Sequence, residues 1–316
     1  MRSPDSINNK AANEAARHDL FPWPDFLAAH GLSDAYRGEA IQWFMPTLER
    51  LIALKQQRPG PMVVGINGSQ GSGKSTLADF LCIGLSALAG LRSITMSLDD
   101  FYLTRAERES LGDSLHPLLA TRGVPGTHDL ALLEKTLAAL VEKSGNVTVP
   151  RFNKVSDDRT DSDQWHHVGA PVDVVIWEGW CLGVPPEPEA RLAQPINELE
   201  SAEDSDGSWR RYVNSALEAY QPLFARVDYW VMLAAPKFDC VWRWRCEQEA
   251  KLRATLADAE STKVMTPEAL ERFVQFYQRL TEWGLISVPE TSHFLYALDR
   301  NRAVTDLYYP NVSFQT

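Results

Sequence analysis

Along the chain from residue 62, short apolar runs alternate with longer segments in which apolar residues recur at helical spacing. The apolar runs lie at 62–66, 93–98, 172–177, 229–234 and 293–298, with a short stub at 147–149. Because they lack strict polar–apolar alternation, they are typical of strands that are covered on both faces. Helical segments lie between them, at 74–88, 130–142, 238–256 and 267–283. This order predicts an α/β fold whose mostly parallel sheet carries helices on both faces.

Two further segments are predicted to lie outside this core. Apolar residues at helical spacing over 36–57 predict one amphipathic helix that packs on the main body, after an extended segment at 21–24. We therefore expect residues 1–60 to form an N-terminal helical extension and residues 61–316 to form a single domain. The segment at about 185–208 is rich in Pro, Glu, Asp and Ala and has no period. It is predicted to be a surface insertion that is partly mobile.

Composition narrows the class of protein. The 316 residues include 31 Lys and Arg against 42 Asp and Glu, a formal net charge of −11. Such an acidic chain is a poor candidate for nucleic-acid binding, which depends on clustered cations. No apolar run approaches the roughly 18 residues that span a bilayer, and the first 20 residues have no apolar signal core. We expect a cytoplasmic protein without nucleic-acid or membrane partners.

One motif carries strong chemical information. Residues 68–75 match G-x-x-x-x-G-K-[ST], the phosphate-binding loop, between a predicted strand and a predicted helix. Its glycines let backbone N–H groups approach phosphate oxygens, and the helix N-terminus adds a favourable field. Lys74 supplies a charge for the β- and γ-phosphates, and the Ser75 hydroxyl is a ligand for Mg²⁺. The predicted ATP-binding residues are Gly68, Ser69, Gln70, Gly71, Ser72, Gly73, Lys74, Ser75 and Thr76.

Carboxylates follow two of the predicted strands. Asp99 and Asp100 come directly after 93–98, and Glu178 comes directly after 172–177. The carboxyl ends of parallel strands line the ligand crevice, and phosphoryl transfer needs a metal-side carboxylate and a group beside the acceptor hydroxyl. Ser75, Asp99 and Glu178 are therefore candidate Mg²⁺ ligands. The alternatives are a turn or helix cap for the aspartates and an exposed loop acid for Glu178.

The motifs resemble those of a known kinase family. Residues 64–77 resemble the loop of the small-molecule P-loop kinases that include uridine kinase, phosphoribulokinase and type I pantothenate kinase. Residues 97–102 resemble their second-strand motif, in which the aspartate at the position of Asp99 acts on the acceptor hydroxyl. Four further segments are similar to the D-glycerate 3-kinase group, and the similarity covers roughly 60–310: they are 99–104, 122–129, 150–154 and 178–183.

The resemblance implies a P-loop NTPase-type fold with a helical lid. It also implies ATP-dependent phosphorylation of the primary hydroxyl of a small hydroxy acid. Among such acids, the resemblance favours D-glycerate, with 3-phosphoglycerate as the product. Two positions depart from relatives: Asn153 stands where the family usually has Asp, and Asp157 stands where uridine kinases have His. A kinase of pantothenate, a nucleoside or another sugar acid remains an alternative. So does a non-catalytic ATP-binding regulatory protein, against which the presence of Lys74, Ser75 and Asp99 argues.

A small acid acceptor requires a cation for its carboxylate. Arg122, Arg151, Lys154 and Arg159 are grouped around two predicted loops, and any of them could hold it, an arginine in bidentate fashion. The alternative for each is a solvated loop charge. Since the chain as a whole is acidic, a local cluster of cations predicts a site for anionic ligands.

Two other pairs of residues are candidates with open alternatives. His128 and Asp129 precede the predicted helix 130–142, where Asp129 is a good N-cap; the resemblance implies instead that it contacts the acceptor. Arg243 and Arg245 lie on the charged helix 238–256, from which related kinases supply a lid cation to the transferring phosphate. Their alternative role is that of surface charges on an exposed helix.

Overall fold

The centre of the protein is a six-stranded sheet, seen in a computed structural model that describes residues 17–142, 145–255 and 265–310. Its strand order is β10-β9-β8-β1-β7-β2, with all neighbours parallel except β10, which is antiparallel to β9. Two antiparallel ribbons, β3 with β6 and β4 with β5, stand beside it. The strands are β1 (Met62–Gly68), β2 (Ser93–Ser97), β3 (Gly145–Val149), β4 (Phe152–Asn153), β5 (Asp158–Arg159), β6 (His166–Ala170), β7 (Val174–Gly179), β8 (Tyr229–Ala234), β9 (Phe294–Leu298) and β10 (Val304–Tyr308).

Helices cover both faces of this sheet, as the sequence predicts. Because side chains alternate along a strand, Val63 of β1 packs on one face with Leu137 and Phe276, while Val64 packs on the other with Phe80. All seven residues of β1 are buried. The helices are α1 (Trp23–His30), α2 (Ala35–Trp43), α3 (Met45–Gln57), α4 (Lys74–Ala89), α5 (Arg105–Ser114), α6 (Leu130–Glu142), α7 (Glu198–Glu203), α8 (Ser208–Ala216), α9 (Gln221–Phe224), α10 (Phe238–Thr255) and α11 (Pro267–Ser287).

The N-terminal region differs from the prediction in two ways. The single helix expected over 36–57 is divided into α2 and α3, because Pro46 has no amide hydrogen to donate to the preceding turn. The segment at 21–24, expected to be extended, contains the start of α1, whose first turn accommodates Pro24. Residues 1–16 lie outside the described residues.

The segment 185–208 is not a loose surface insertion, contrary to the prediction. It contains α7, and its Leu192 and Leu199 side chains are buried. Two buried carboxylates of the segment, Glu187 and Glu200, form ion pairs with Arg279 of α11 at 3.2 and 2.6 Å. Its aperiodic composition hides these contacts because they are made by isolated side chains with a distant helix.

None of the helices within the described ranges combines the length and the apolar character that crossing a membrane requires.

Candidate active site

The phosphate-binding loop connects β1 to α4 at the centre of the sheet, between β7 and β8. Gly71 and Gly73 have φ angles of +78° and +94°, which glycine adopts at no steric cost. A side chain at Gly71 is also excluded by Trp244 of α10, whose Cβ lies 2.7 Å from the position of a Gly71 Cβ. Three buried side-chain oxygens of the loop, from Ser69, Gln70 and Ser72, have no hydrogen-bond partner within the described part of the chain.

Glu178 lies beside the end of this loop because β7 pairs with β1 in a register that matches Ile66 with Glu178. The Ser75 hydroxyl donates to Glu178 Oε1 at 3.2 Å. Glu178 Oε2 is buried with no hydrogen-bond partner among the described residues, and Lys74 Nζ is 3.8 Å from it. Glu178 is thus a buried acid rather than the exposed loop acid of the alternative interpretation. Its orphaned oxygen and the Ser75 hydroxyl are hard ligands of the kind Mg²⁺ prefers.

Asp99 lies on a 3-10 turn that follows β2. Its Oδ2 accepts a hydrogen bond from Lys154 Nζ at 2.7 Å, and its Oδ1 accepts one from the Tyr102 hydroxyl at 2.9 Å. Burial by itself raises the pKa of Asp99, but the Lys154 and Lys74 ammonium groups, with these hydrogen bonds, hold it well below its usual range. Asp99 is therefore ionised at neutral pH.

Asp100, the next residue, has a structural environment. Its carboxylate accepts from Arg151 Nη1 at 3.0 Å and from the backbone N–H of Phe152 at 3.1 Å. Burial raises the pKa of Asp100 to about 6, although the Arg151 charge opposes that shift. Arg151 and Phe152 thus connect the start of β4 to the turn after β2. Arg151 does not line the main cavity, which is the open cleft that contains the phosphate loop and Asp99.

Asp129 and Arg159 also bind each other. Asp129 Oδ1 accepts from the backbone N–H of Leu132, which makes it the N-terminal cap of α6, and its Oδ2 accepts from Arg159 Nη1 at 3.2 Å. Arg159 donates further to the carbonyl oxygen of Tyr102 at 3.0 Å. The capping interpretation of Asp129 thus describes its contacts, and neither residue lines the main cavity.

His128 is a buried core residue. Its Nδ1 is 2.8 Å from the Tyr220 hydroxyl, and its ring stacks on Tyr102 with centroids 4.6 Å apart. Burial lowers the pKa of His128 to about 4. The histidine is therefore neutral at pH 7, and its stacked ring holds the Tyr102 ring in place.

The main cavity is an open cleft that contains both the phosphate loop and Asp99. Of the predicted cations it exposes Lys74, Arg122, Lys154 and Arg245. Sequence patterns assign no role to five wall residues: Tyr102, Trp180, Gln248, Phe273 and Tyr277. Tyr102 and Trp180 lie in family-like motifs, whereas the other three have no signal beyond helical periodicity. The lining residues are Gln70, Gly71, Lys74, Ser75, Asp99, Tyr102, Arg122, Lys154, Trp180, Arg245, Gln248, Phe273 and Tyr277.

The two candidate lid cations of α10 line different cavities. Trp244 between them is buried against Gly71, and residues two apart on a helix point in nearly opposite directions. Arg245 lines the main cavity with its Cζ 5.9 Å from the Phe273 ring centroid. Arg243 instead donates to Asn301 and lines a second cavity. The structure therefore places Arg245, and not Arg243, on the wall of the cavity that contains Asp99.

Known proteins similar to this chain are kinases. No family model matches the chain. It is 36% identical over 233 residues to the uncharacterized kinase mug58 of Schizosaccharomyces pombe, across 71% of this chain and 81% of that one. It is 35% identical over 228 residues to the chloroplastic D-glycerate 3-kinase of Arabidopsis thaliana, across 69% of this chain but slightly under half of the plant protein. The solved structure of D-glycerate 3-kinase from Cryptococcus neoformans superimposes with a TM-score of 0.67 at 27% identity, across 83% of this chain and 99% of that one.

Proposed function

Because the chain belongs to the P-loop kinase family that includes D-glycerate 3-kinase, we propose that it phosphorylates the primary hydroxyl of D-glycerate to give 3-phosphoglycerate. Like those relatives, it is an ATP-dependent phosphotransferase that acts on a hydroxyl group of a small molecule. One observation carries the choice of a small acid: the cavity that joins the phosphate loop to Asp99 is also lined by Arg122 and Lys154. Two acceptor-side cations beside the reacting carboxylate favour an anionic acceptor over a neutral one.

The phosphate side of the reaction rests on the loop and on Lys74. The loop N–H groups and the Lys74 ammonium hold the triphosphate and stabilise charge on the transferring phosphoryl group. The Ser75 hydroxyl and the orphaned oxygen of Glu178 fit a Mg²⁺ ion, with Asp99 as a further carboxylate in reach of the same cavity. When bound, Mg²⁺ neutralises charge on the phosphate oxygens. Arg245 on the cavity wall can add a second cation from α10.

The acceptor side rests on Asp99, whose carboxylate orients the acceptor hydroxyl. Its depressed pKa makes it a weak base. That suits a loose phosphoryl-transfer transition state, in which the attacking hydroxyl keeps its proton until late. Positioning therefore contributes more than early proton abstraction.

The test is coupled ADP release with D-glycerate, L-glycerate, pantothenate and uridine, with the product identified by NMR. We expect turnover with D-glycerate and phosphate on its 3-position. The matched variant Asp99→Asn keeps the size of the side chain and removes its charge, so kcat should fall by about 100-fold or more with little change in ATP binding. Turnover with uridine or pantothenate in place of D-glycerate refutes the assigned acceptor. ATP binding without product from any of the four favours the regulatory alternative.

Two further expectations belong with this proposal. A cytoplasmic location and the lack of a nucleic-acid partner are proposed with this function, the second because the composition is acidic. They remain predictions. Cell fractionation with an antibody to the full chain tests the first, and retention on a DNA or RNA column at low salt contradicts the second.

A further inference from the structure

We propose that Arg122 binds the carboxylate of the acceptor, and that Asp157 and the buried Arg108 are positioning residues that aim its guanidinium into the cavity. This inference rests on the function proposed above, since it presumes an acid as the acceptor. It selects one residue among four candidate cations. It also gives a role to two residues that sequence reasoning left without one.

The pairing of the four cations separates them into two groups. Arg151 is bound to Asp100 at 3.0 Å, and Arg159 to Asp129 at 3.2 Å, and both lie outside the cavity wall. Arg122 and Lys154 are on the wall. The choice is therefore between a guanidinium and an ammonium.

Lys154 belongs to the hydroxyl end of the site. Its ammonium is 2.7 Å from Asp99 Oδ2, and 62% of its side chain is exposed, so it is a flexible charge that partners the reacting carboxylate. An acceptor carboxylate bound to Lys154 would add a second negative charge beside Asp99, whose charge Lys154 already neutralises. Arg122 does not contact Asp99, and only 13% of its side chain is exposed.

Arg122 is held in place by a series of buried contacts. Arg108 is fully buried and donates to the carbonyl oxygens of Leu103, Ala120 and Asp157 at 3.2, 2.9 and 2.6 Å. It also donates to Asp157 Oδ2 at 3.0 Å, and the other carboxylate oxygen of Asp157 accepts from Arg122. Two guanidinium groups thus share one carboxylate, which leaves this cluster with a net charge of +1.

Aromatic contacts fix the rest of the arginine. The Arg122 and Arg108 guanidinium carbons lie 5.7 and 5.9 Å from the centroid of the Phe152 ring. The same ring packs edge-on against Tyr102, the residue whose hydroxyl bonds to Asp99. The Tyr277 hydroxyl donates to the carbonyl oxygen of Arg122 at 3.2 Å. The guanidinium is therefore oriented before any acceptor arrives, which reduces the entropy lost on binding.

The chemistry of the acceptor fits this arrangement. D-Glycerate carries its carboxylate two carbons from the hydroxyl that is phosphorylated, so the carboxylate site must adjoin Asp99 within one cavity. A guanidinium binds a carboxylate with two parallel hydrogen bonds, whereas an ammonium acts as a point charge. Glycerol has the same carbon chain without the carboxylate, and its rate relative to D-glycerate measures what the cation contributes.

The experiment compares Arg122→Met and Asp157→Asn with the wild-type enzyme, using D-glycerate and glycerol as acceptors. Loss of a hydrogen-bonded charge pair is expected to raise the KM for D-glycerate by about 10- to 100-fold. The KM for ATP and the kcat/KM for glycerol should change by less than twofold. Asp157→Asn, which tolerates the positive φ of +56° at this position, should raise the same KM by less. Arg122→Lys should restore part of the discrimination.

Two variants serve as controls. Arg105→Met removes an exposed arginine that pairs with Glu109 on α5, and it should leave all the constants unchanged. Lys154→Met removes the competing cation. A loss of D-glycerate discrimination in Lys154→Met but not in Arg122→Met overturns the proposal, and so does a ratio of D-glycerate to glycerol rates that stays within twofold of wild type in Arg122→Met.

The outcome separates this inference from the proposed function. Wild-type turnover with D-glycerate and an unchanged ratio in Arg122→Met sinks the inference alone. Wild-type turnover with pantothenate in place of D-glycerate sinks the assigned acceptor, and pantothenate against its neutral alcohol analogue then tests Arg122 in the same way. Turnover with uridine alone overturns both. Thermal unfolding of each variant establishes that a lost activity is not a lost fold.

Discussion

The two sides of the main cavity treat their polar groups differently. On the phosphate side, the side-chain oxygens of Ser69, Gln70 and Ser72 are buried without hydrogen-bond partners in the described part of the chain. On the acceptor side, charged groups already have protein partners, as in the pairs of Lys154 with Asp99 and of Arg122 with Asp157. An anion on the phosphate side meets the Ser69 and Ser72 hydroxyls, which have no partner among the described residues and can donate to it. An acceptor meets charged groups that already have protein partners.

This difference has a consequence for specificity. Groups without partners bind any ligand of the right charge and shape. Paired groups keep their protein partners, and they attract only a ligand that complements the charge that remains, so a neutral or misplaced acceptor gains no comparable interaction. We therefore expect the phosphate side to set the overall rate and the acceptor side to set the choice of substrate.

The largest expected effect comes from breaking the phosphate side. Lys74→Met removes the cation that faces the transferring phosphoryl group, and kcat should fall by about 1000-fold. The fall should be the same with D-glycerate and with glycerol, because Lys74 contacts the phosphate and not the acceptor. The KM for D-glycerate should stay within about threefold of the wild-type value. Steady-state kinetics with two acceptors measure this, and circular dichroism checks the fold. Turnover within tenfold of wild type would remove Lys74 from this role.

The next effect concerns the support of the acceptor side. Arg279 lies on α11, the helix that also supplies Tyr277 to the cavity wall, and it pairs with the buried Glu187 and Glu200. Arg279→Met leaves Glu200 buried without its cation and leaves Glu187 with Arg191 alone, and the free energy of unfolding should fall by about 3 kcal/mol or more. Urea denaturation measures the change.

The same helix offers a matched control for this substitution. Arg272 of α11 forms an exposed pair with Glu203 at 2.7 Å, so Arg272→Met should cost less than about 1 kcal/mol. If the two variants lose equal stability, the buried cluster does not anchor α11 as described.

The smallest effect is a pH dependence of stability that arises at His128, which stacks on Tyr102 of the acceptor side. The folded protein binds a proton at His128 with a pKa of about 4, against 6.5 for an unperturbed histidine, because the ring is buried. Between these values the unfolded chain binds more protons, so this contribution to stability is complete above pH 6.5 and is lost as the pH falls toward 4. The stability lost by pH 5, relative to neutral pH, should amount to about 2 kcal/mol.

His128→Gln removes this titration. The difference in unfolding free energy between wild type and variant should therefore shrink by about 2 kcal/mol from pH 7 to pH 5, as measured by urea denaturation at each pH. His167→Gln, at an exposed position on β6, is the control and should show no such change. A pH-independent difference for His128→Gln contradicts the buried neutral state.

Part of this architecture could be predicted from the sequence because the determining residues are contiguous. The phosphate loop is specified by the spacing from Gly68 to Ser75, and the buried strand and amphipathic helix on either side of it place the motif. Asp129 could be recognised as a cap for the same reason, since its partner Leu132 is three residues away. Local patterns also predicted five of the six strands of the central sheet and its long helices α4, α6, α10 and α11. They did not predict β10, α5, the division at Pro46 or the packing of 185–208.

Other features depend on partners that are distant in sequence. Tyr277 reaches the carbonyl of Arg122 across 155 positions, and Arg108 reaches Asp157 across 49. No local pattern indicates that Arg243 and Arg245 line different cavities, because the burial of Trp244 between them decides which way each one points.

The sequence by itself thus determined the chemistry: a triphosphate loop, carboxylates at the ends of strands, and a group of cations for an anionic acceptor. The tertiary structure decided which of those cations faces the cavity. By residue type, Arg151 and Arg159 are equal candidates with Arg122, and only their ion pairs with Asp100 and Asp129 distinguish them from it. The physical reason is that an arginine's residue type fixes its charge, whereas the carboxylate that neutralises it is brought close only by the packing of separate segments.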